Sequence, residues 1–170
     1  MLPDLVQEAI RMGFQFPENH INCQVATLFQ SKPHVRTMML YDIAPEGQLI
    51  FLTQRDTQKW RDLMQYQECA VCFFSTDFGQ IIAEGRVSLA TNKQAVDVAE
   101  KYWNVMPENW RRIYLKGSKS EKIPDSFGVM SVIPVRWEIL RINTENYLLS
   151  ERKQIQWRDG AWIVEKMQPV

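Results

Sequence analysis

Apolar and polar residues alternate along much of this chain with a period of two, and only a few stretches switch to the helical period. Residues 25–30, 34–41 and 49–53 are apolar-rich runs, separated by Ser31-Lys32-Pro33 and by Pro45-Glu46-Gly47-Gln48, both turn signals. Connections this short join antiparallel neighbours. Residues 69–75 and 80–89 form a further strand pair around Thr76-Asp77-Phe78-Gly79. Five more strands are expected at 127–133, 136–142, 147–150, 154–157 and 162–166, with Asp159-Gly160 as a hairpin signal. Helical periodicity predicts an amphipathic helix near the start, within an extension over residues 1–20. A second helix begins at Asp56 or Thr57 and places Trp60, Leu63 and Met64 on one face. A third, over 93–103, carries a stripe of Ala95, Val98, Ala99 and Tyr102, and Pro107 opens a fourth to about residue 115. The polar stretch 116–126 reads as a mobile loop. Six or more antiparallel strands with a few helices indicate a mainly β, α+β domain built on a closed or partly closed barrel.

The chain has 170 residues, enough for one domain with a sizeable core. Lys+Arg and Asp+Glu number 20 each, so the net charge is zero and the basic excess of a general nucleic-acid binder is missing. No apolar run reaches the roughly 20 residues that span a bilayer. The start of the chain, with Asp4 and Glu8, lacks the basic and apolar regions of a signal peptide. The expected setting is the cytoplasm, without membrane or nucleic-acid partners. Cys69 and Cys72 have C-x-x-C spacing, but residues three apart on a strand point to opposite faces and no second ligand pair follows. Buried, inert thiols are expected, and no metal site.

Candidate chemistry concentrates between His34 and Lys59. In a strand, Arg36 shares a face with Met38 and Leu40, so its charge requires an anionic partner. A salt bridge on an edge strand would meet that need. Thr57, Gln58 and Lys59 stand in the first turn of the second helix, where free N–H groups and the helix dipole favour an anion. A lysine there fits a bound phosphate, or neutralisation by Asp56 and Asp62. Gln80, at a strand start, can donate to and accept from the edge of a heterocycle, or face solvent.

In series, VATLFQSKPHVRTMML, IFLTQRDTQKWRDL, the Gln80–Gly85 spacing and the tail LLSERKQIQWRDGAWIVEKMQP resemble the pyridoxamine 5'-phosphate oxidase-like family, over roughly residues 24–170. The resemblance implies a six-stranded antiparallel split β-barrel with flanking helices, in a homodimer that binds FMN at its interface. By position, Arg36 and Lys59, helped by Thr57, would hold the phosphate. Gln58 stands where the family often has an arginine. Backbone at Thr37, Met38 and Met39 would line the flavin, and Leu52 and Thr53 match a Tyr-Thr pair with the tyrosine replaced. Gln80 and Arg152 would contact the ring, with Leu140 near a flavin-contacting tryptophan position. Lys119 and Ser120 match a Gln-Ser pair supplied by the other subunit.

The family's grip on pyridoxine phosphate does not carry over. At its positions stand Tyr41, Tyr102, Met106, Trp110 and Leu148-Leu149-Ser150, of which only Tyr102 is retained. The lost charge-assisted contacts are each worth on the order of 1.5–3 kcal/mol. The expectation is therefore an FMN-dependent oxidoreductase acting on another, more apolar small molecule, with no protein catalytic residue identified. The alternatives are a true pyridoxamine phosphate oxidase with a rearranged pocket, a flavin-reducing module with a nicotinamide donor, or a non-catalytic dimer binding flavin or haem. His20 and His34 are too far apart, and lack a nucleophile elbow, for a hydrolytic triad; His34 is expected at the surface.

Overall fold

The structure is a computed structural model, and it describes residues 1–116 and 122–168. Helix α1 (Asp4–Phe14) leads into strands β1 (Ile21–Phe29), β2 (Lys32–Leu40), β3 (Asp42–Ile43) and β4 (Leu49–Gln54). Helix α2 (Gln58–Gln65), strands β5 (Glu68–Ser75) and β6 (Gly79–Ala90), and helices α3 (Val96–Val105) and α4 (Glu108–Leu115) follow. Strands β7 (Phe127–Arg141), β8 (Glu151–Arg158) and β9 (Ala161–Met167) complete the chain.

All the strand pairings are antiparallel, in the order β2-β1-β5-β6-β7-β4-β3, with β8 and β9 continuing from the far half of β7. Six long strands of this path curl round one core that includes Leu40, Phe51, Phe73, Ile81, Met130 and Trp137. Helix α1 packs on this core through Val6, Ala9 and Ile10. The strands thus make the barrel that the alternating pattern indicates, and it is split between β2 and β4.

Two expected strands, 127–133 and 136–142, are one strand. Pro134, which has no N–H to donate, suggests a break. It lies where β7 changes partner: the ladder to β4 ends at Val132 and that to β8 begins at Arg136. Opposite Pro134 the register slips between Glu84 and Gly85, and a Cβ at Gly85 would collide with the Ile133 carbonyl. The expected strand at 147–150 is instead a 3-10 turn, Tyr147–Leu149, fastened by the Asn146 side chain, which accepts from the Leu148 N–H at 3.1 Å.

The hairpin at Asp159-Gly160 has positive φ at both residues, 50° and 83°, as a type I′ turn requires. A second core, with Tyr102, Trp103, Met106 and Phe127, holds α3 and α4 against the sheet. On α2 the apolar stripe is narrower than expected: Trp60 and Leu63 are buried, Met64 is exposed, and Asp62 is buried. Burial pushes the Cys23 and Cys69 thiols up to about 12, which keeps them protonated.

Candidate functional site

β2 and β3 are consecutive in the chain but take different neighbours. β2 pairs with β1, whereas β3 pairs with β4, and the change occurs at Tyr41, whose N–H donates to the Ile50 carbonyl at 2.9 Å. Beyond Tyr41 the facing edges of β2 and β4 have no ladder between them, and a cavity of about 350 Å³ opens there. β2 contributes Thr37, Met38 and Met39 to its wall, and β4 contributes Leu52 and Gln54. Lys59 enters from α2, and Trp110, Ile113 and Tyr114 from α4. Tyr41 closes one end, with its ring 5.8 Å from that of Trp110. This volume lies at the lower end of the range for small-molecule pockets.

Lys59 is half-buried, and among the described residues no carboxylate stands within ion-pair distance of it. Burial lowers the pKa of its amine, the like charge of Arg36 lowers it further, and Asp56 only partly offsets them. Asp56 itself pairs with Lys116, at 3.7 Å. Asp62 does not neutralise Lys59 either, because it is committed to Arg36.

Arg36 donates from Nη1 to the Val25 carbonyl at 3.1 Å and to Thr27 Oγ1 at 2.7 Å, and from Nη2 to Asp62 Oδ2 at 3.1 Å. Asp62 has no side-chain exposure. It also accepts from Thr27 Oγ1 at 2.7 Å, from His34 Nδ1 at 3.1 Å and from Gln58 Nε2 at 2.8 Å. Burial works to raise its pKa, but the bonds from Thr27, Gln58 and His34 outweigh it and hold the carboxyl below the ordinary aspartate value. His34 is therefore part of this cluster and not a plain surface residue. Thr27 and His34 are cross-strand partners, which sets both beside Asp62. Thr57 stands at the N-cap of α2, but its hydroxyl donates to the Gln54 carbonyl at 2.8 Å and leaves the first N–H groups of the helix uncapped. Thr53 is buried next to it.

The remaining expected residues lie elsewhere. Gln80, Leu140 and Arg152 stand side by side on β6, β7 and β8, outside the cavity. Arg152 is held by the buried Glu138, whose Oε1 accepts from its Nε at 2.9 Å. Tyr102 is buried, and its hydroxyl donates to Asp42 Oδ2 at 3.2 Å. Met106 belongs to the second core, 2% exposed, and does not line the cavity. Leu148 is 89% exposed on the 3-10 turn, and Ser150 is buried with its Oγ accepting from the Asn143 N–H at 3.1 Å. Of the six positions read as a substrate pocket, Tyr41, Tyr102, Met106 and Trp110 pack in one cluster, with the Tyr41 ring 6.0 Å from that of Tyr102; only Tyr41 and Trp110 line the cavity, and Leu148 and Ser150 stand apart from it. Lys119 and Ser120 lie outside the described residues.

Sequence reasoning missed Thr27 and the cavity residues Gln54, Ile113 and Tyr114, and weighed Asp62 as a counter-charge for Lys59 and not as the partner of Arg36. The one available signal was the spacing of Gln58 and Asp62, which are four apart on a helix and so adjacent. Among the described residues, no group of three or more His, Cys, Asp or Glu side chains could hold a metal ion. No helix among them is long and apolar enough to cross a membrane.

The family model for pyridoxamine 5'-phosphate oxidase like proteins matches residues 18–123. A search of curated proteins gave no match. Among solved structures, a pyridoxamine 5'-phosphate oxidase-related, FMN binding protein from Nostoc punctiforme is similar, with a TM-score of 0.81 and 16% identity, over 99% of this chain and 100% of that one. PhzG from Burkholderia lata, in complex with tetrahydrophenazine-1-carboxylic acid, gives a TM-score of 0.73 at 16% identity, over 97% and 91% of the two chains. General Stress Protein 26 from Bacillus anthracis gives 0.57 at 19% identity, over 78% and 91%. At these identities the likeness establishes the split-barrel fold.

Proposed function

Because the chain belongs to the pyridoxamine 5'-phosphate oxidase like family, we propose that it binds FMN in the cavity between β2 and β4 and acts as an oxidoreductase on a small molecule other than pyridoxine phosphate. Lys59 carries this reading. It is a half-buried ammonium beside a second cation, without a carboxylate partner, at the uncapped start of a helix. A phosphate monoester supplies the missing counter-charge and accepts from the free N–H groups there. The donor set fits the group: Lys59, which lines the cavity, for the phosphate, with Arg36 as a second cation near it but outside the lining, and the β2 backbone from Thr37 to Met39 along the flavin. The neighbour from Nostoc punctiforme, described as FMN binding, supports the same choice.

FMN, when bound, supplies the electron-transfer chemistry, and the protein supplies binding, orientation and a partly dry cavity. Tyr41, Trp110, Ile113 and Tyr114 give that cavity aromatic and aliphatic walls. Among the described residues Lys59 is its one lining cation and is committed to the cofactor, so a second phosphate finds no counter-charge from them there. An apolar or aromatic substrate suits these walls.

The reading also calls for a second copy of the chain. Ladder register puts Thr37, Gln24, Cys72, Ile82 and Glu138 on one outer face of the sheet, with Gln80 and Arg152 one step along it. That face also exposes Val35 and Phe74, 64% and 59%. A partner seated on it would bring its own Gln80 and Arg152 towards the flavin that Lys59 holds.

Fluorescence titration with FMN and with riboflavin tests the phosphate grip. The wild type should prefer FMN, and Lys59→Ala should lose roughly 10–100-fold in FMN affinity, the worth of one charge-assisted contact, with riboflavin unchanged. Wild-type protein that ignores FMN would overturn the reading. Sedimentation equilibrium should give a dimer; a monomer at every concentration would remove the shared site.

A further inference from the structure

We infer that Asp62 is the positioning residue of the anion site, holding Arg36 and the first turn of α2 in place while it leaves Lys59 as the uncompensated charge. The inference rests on the FMN reading above.

Asp62 does not behave as one half of a surface ion pair. Both carboxylate oxygens are engaged, Oδ1 by Gln58 and Oδ2 by Thr27, His34 and Arg36, and the side chain has no exposure. Thr27 couples the pieces: its hydroxyl accepts from Arg36 and donates to Asp62. The guanidinium is thereby fixed at three points, the Val25 carbonyl, Thr27 Oγ1 and Asp62 Oδ2. Three of its five N–H groups are spent inside the protein, which leaves Nε–H and one Nη2 hydrogen for an external acceptor. A donor already held in place loses little freedom on binding.

The local charge points the same way. Arg36 and Lys59 are neighbouring cations, and Asp62 cancels one of them without touching the other. Gln58 stands on the same helix turn as Lys59 and is tied to Asp62, so the carboxylate also fixes the first turn from which Lys59 extends.

Two roles for Asp62 predict opposite signs. If it is only a counter-charge, its removal raises the local positive charge and tightens an anion. If it positions Arg36 and the first turn of α2, its removal loosens both and weakens the anion, although the local charge has become more favourable.

The test is Asp62→Asn and Thr27→Val, each titrated with FMN and riboflavin alongside Lys59→Ala. Positioning predicts that Asp62→Asn weakens FMN by about tenfold and Thr27→Val by about threefold, with riboflavin within about twofold of wild type. Equal or tighter FMN binding by Asp62→Asn overturns the inference, as does an equal loss for both flavins, which marks a general structural defect. Should Asp62→Asn fail to fold, Thr27→Val decides by the same criteria. If Lys59→Ala leaves FMN affinity unchanged, the FMN reading itself falls. If Lys59→Ala weakens FMN while Asp62→Asn does not, the positioning role alone falls.

Discussion

The Tyr102 hydroxyl donates to Asp42 Oδ2 at 3.2 Å, and that bond makes Tyr102 a structural strut. Asp42 opens β3, and Tyr102 is on α3, so the bond ties the helix layer to the split edge of the barrel. Burial raises the pKa of Tyr102 and the neighbouring Asp42 raises it further, so the phenol stays a donor at any working pH. Tyr102→Phe should cost about 1 kcal/mol, more if Asp42 is left poorly solvated, and should leave FMN affinity unchanged. Urea unfolding and flavin titration measure the two effects; a large loss of FMN affinity with normal stability would return Tyr102 to the pocket.

Acid should expose the stability contribution of Asp62. Its carboxyl titrates below the ordinary aspartate value in the folded chain and at about 3.9 in the unfolded one. As the pH falls past the ordinary value, the unfolded state takes up the proton first, so stability present above that value is lost on the way down to the folded pKa. Asp62→Asn, which leaves the half-buried Arg36 without its carboxylate, should cost about 1–3 kcal/mol near pH 6. The gap to wild type should narrow as the pH drops through the carboxylate range. Urea midpoints collected between pH 6 and 3 check this, and a gap independent of pH would mean that Asp62 does not titrate with folding.

Period-two alternation located the long barrel strands, because each has one face in the core, but it marked 147–150, a 3-10 turn, as a strand. It also oriented Arg36 with Met38 and Leu40: Met38 and Leu40 are buried and Arg36 half-buried, while Val35 and Thr37 are exposed. Pro134 misled the reading, since its missing N–H costs nothing where β7 passes from one partner to another. The burial of Asp62 was hidden because a helical stripe ranks residues by apolarity, and a carboxylate buried by four polar partners from three elements leaves no local mark. The motif order picked out Lys59 and the β2 residues that line one cavity. It could not show that Gln80 and Arg152 stand apart from that cavity, because motif order does not fix distance across the sheet.

Gly128 sets the position of α2. It pairs with Thr53 across β4 and β7, and the Trp60 ring lies where a Cβ at Gly128 would be, with Arg55 Cγ close by. Trp60 is 4% exposed, and the Arg55 guanidinium lies 5.8 Å from its ring centre. Trp60 directly follows Lys59, so the helix start that carries the cation depends on this indole packing against a bare backbone. Gly128→Ala should overpack the contact and cost about 1–3 kcal/mol. Trp60→Phe, which trims the ring, should destabilise on its own by leaving a gap. Combined, the added methyl enters space that the smaller ring has vacated, so the double variant should be more stable than the sum of the two losses predicts. A thermodynamic cycle from urea unfolding measures that coupling. Strict additivity would mean that the methyl is accommodated elsewhere and that Gly128 does not determine where α2 rests.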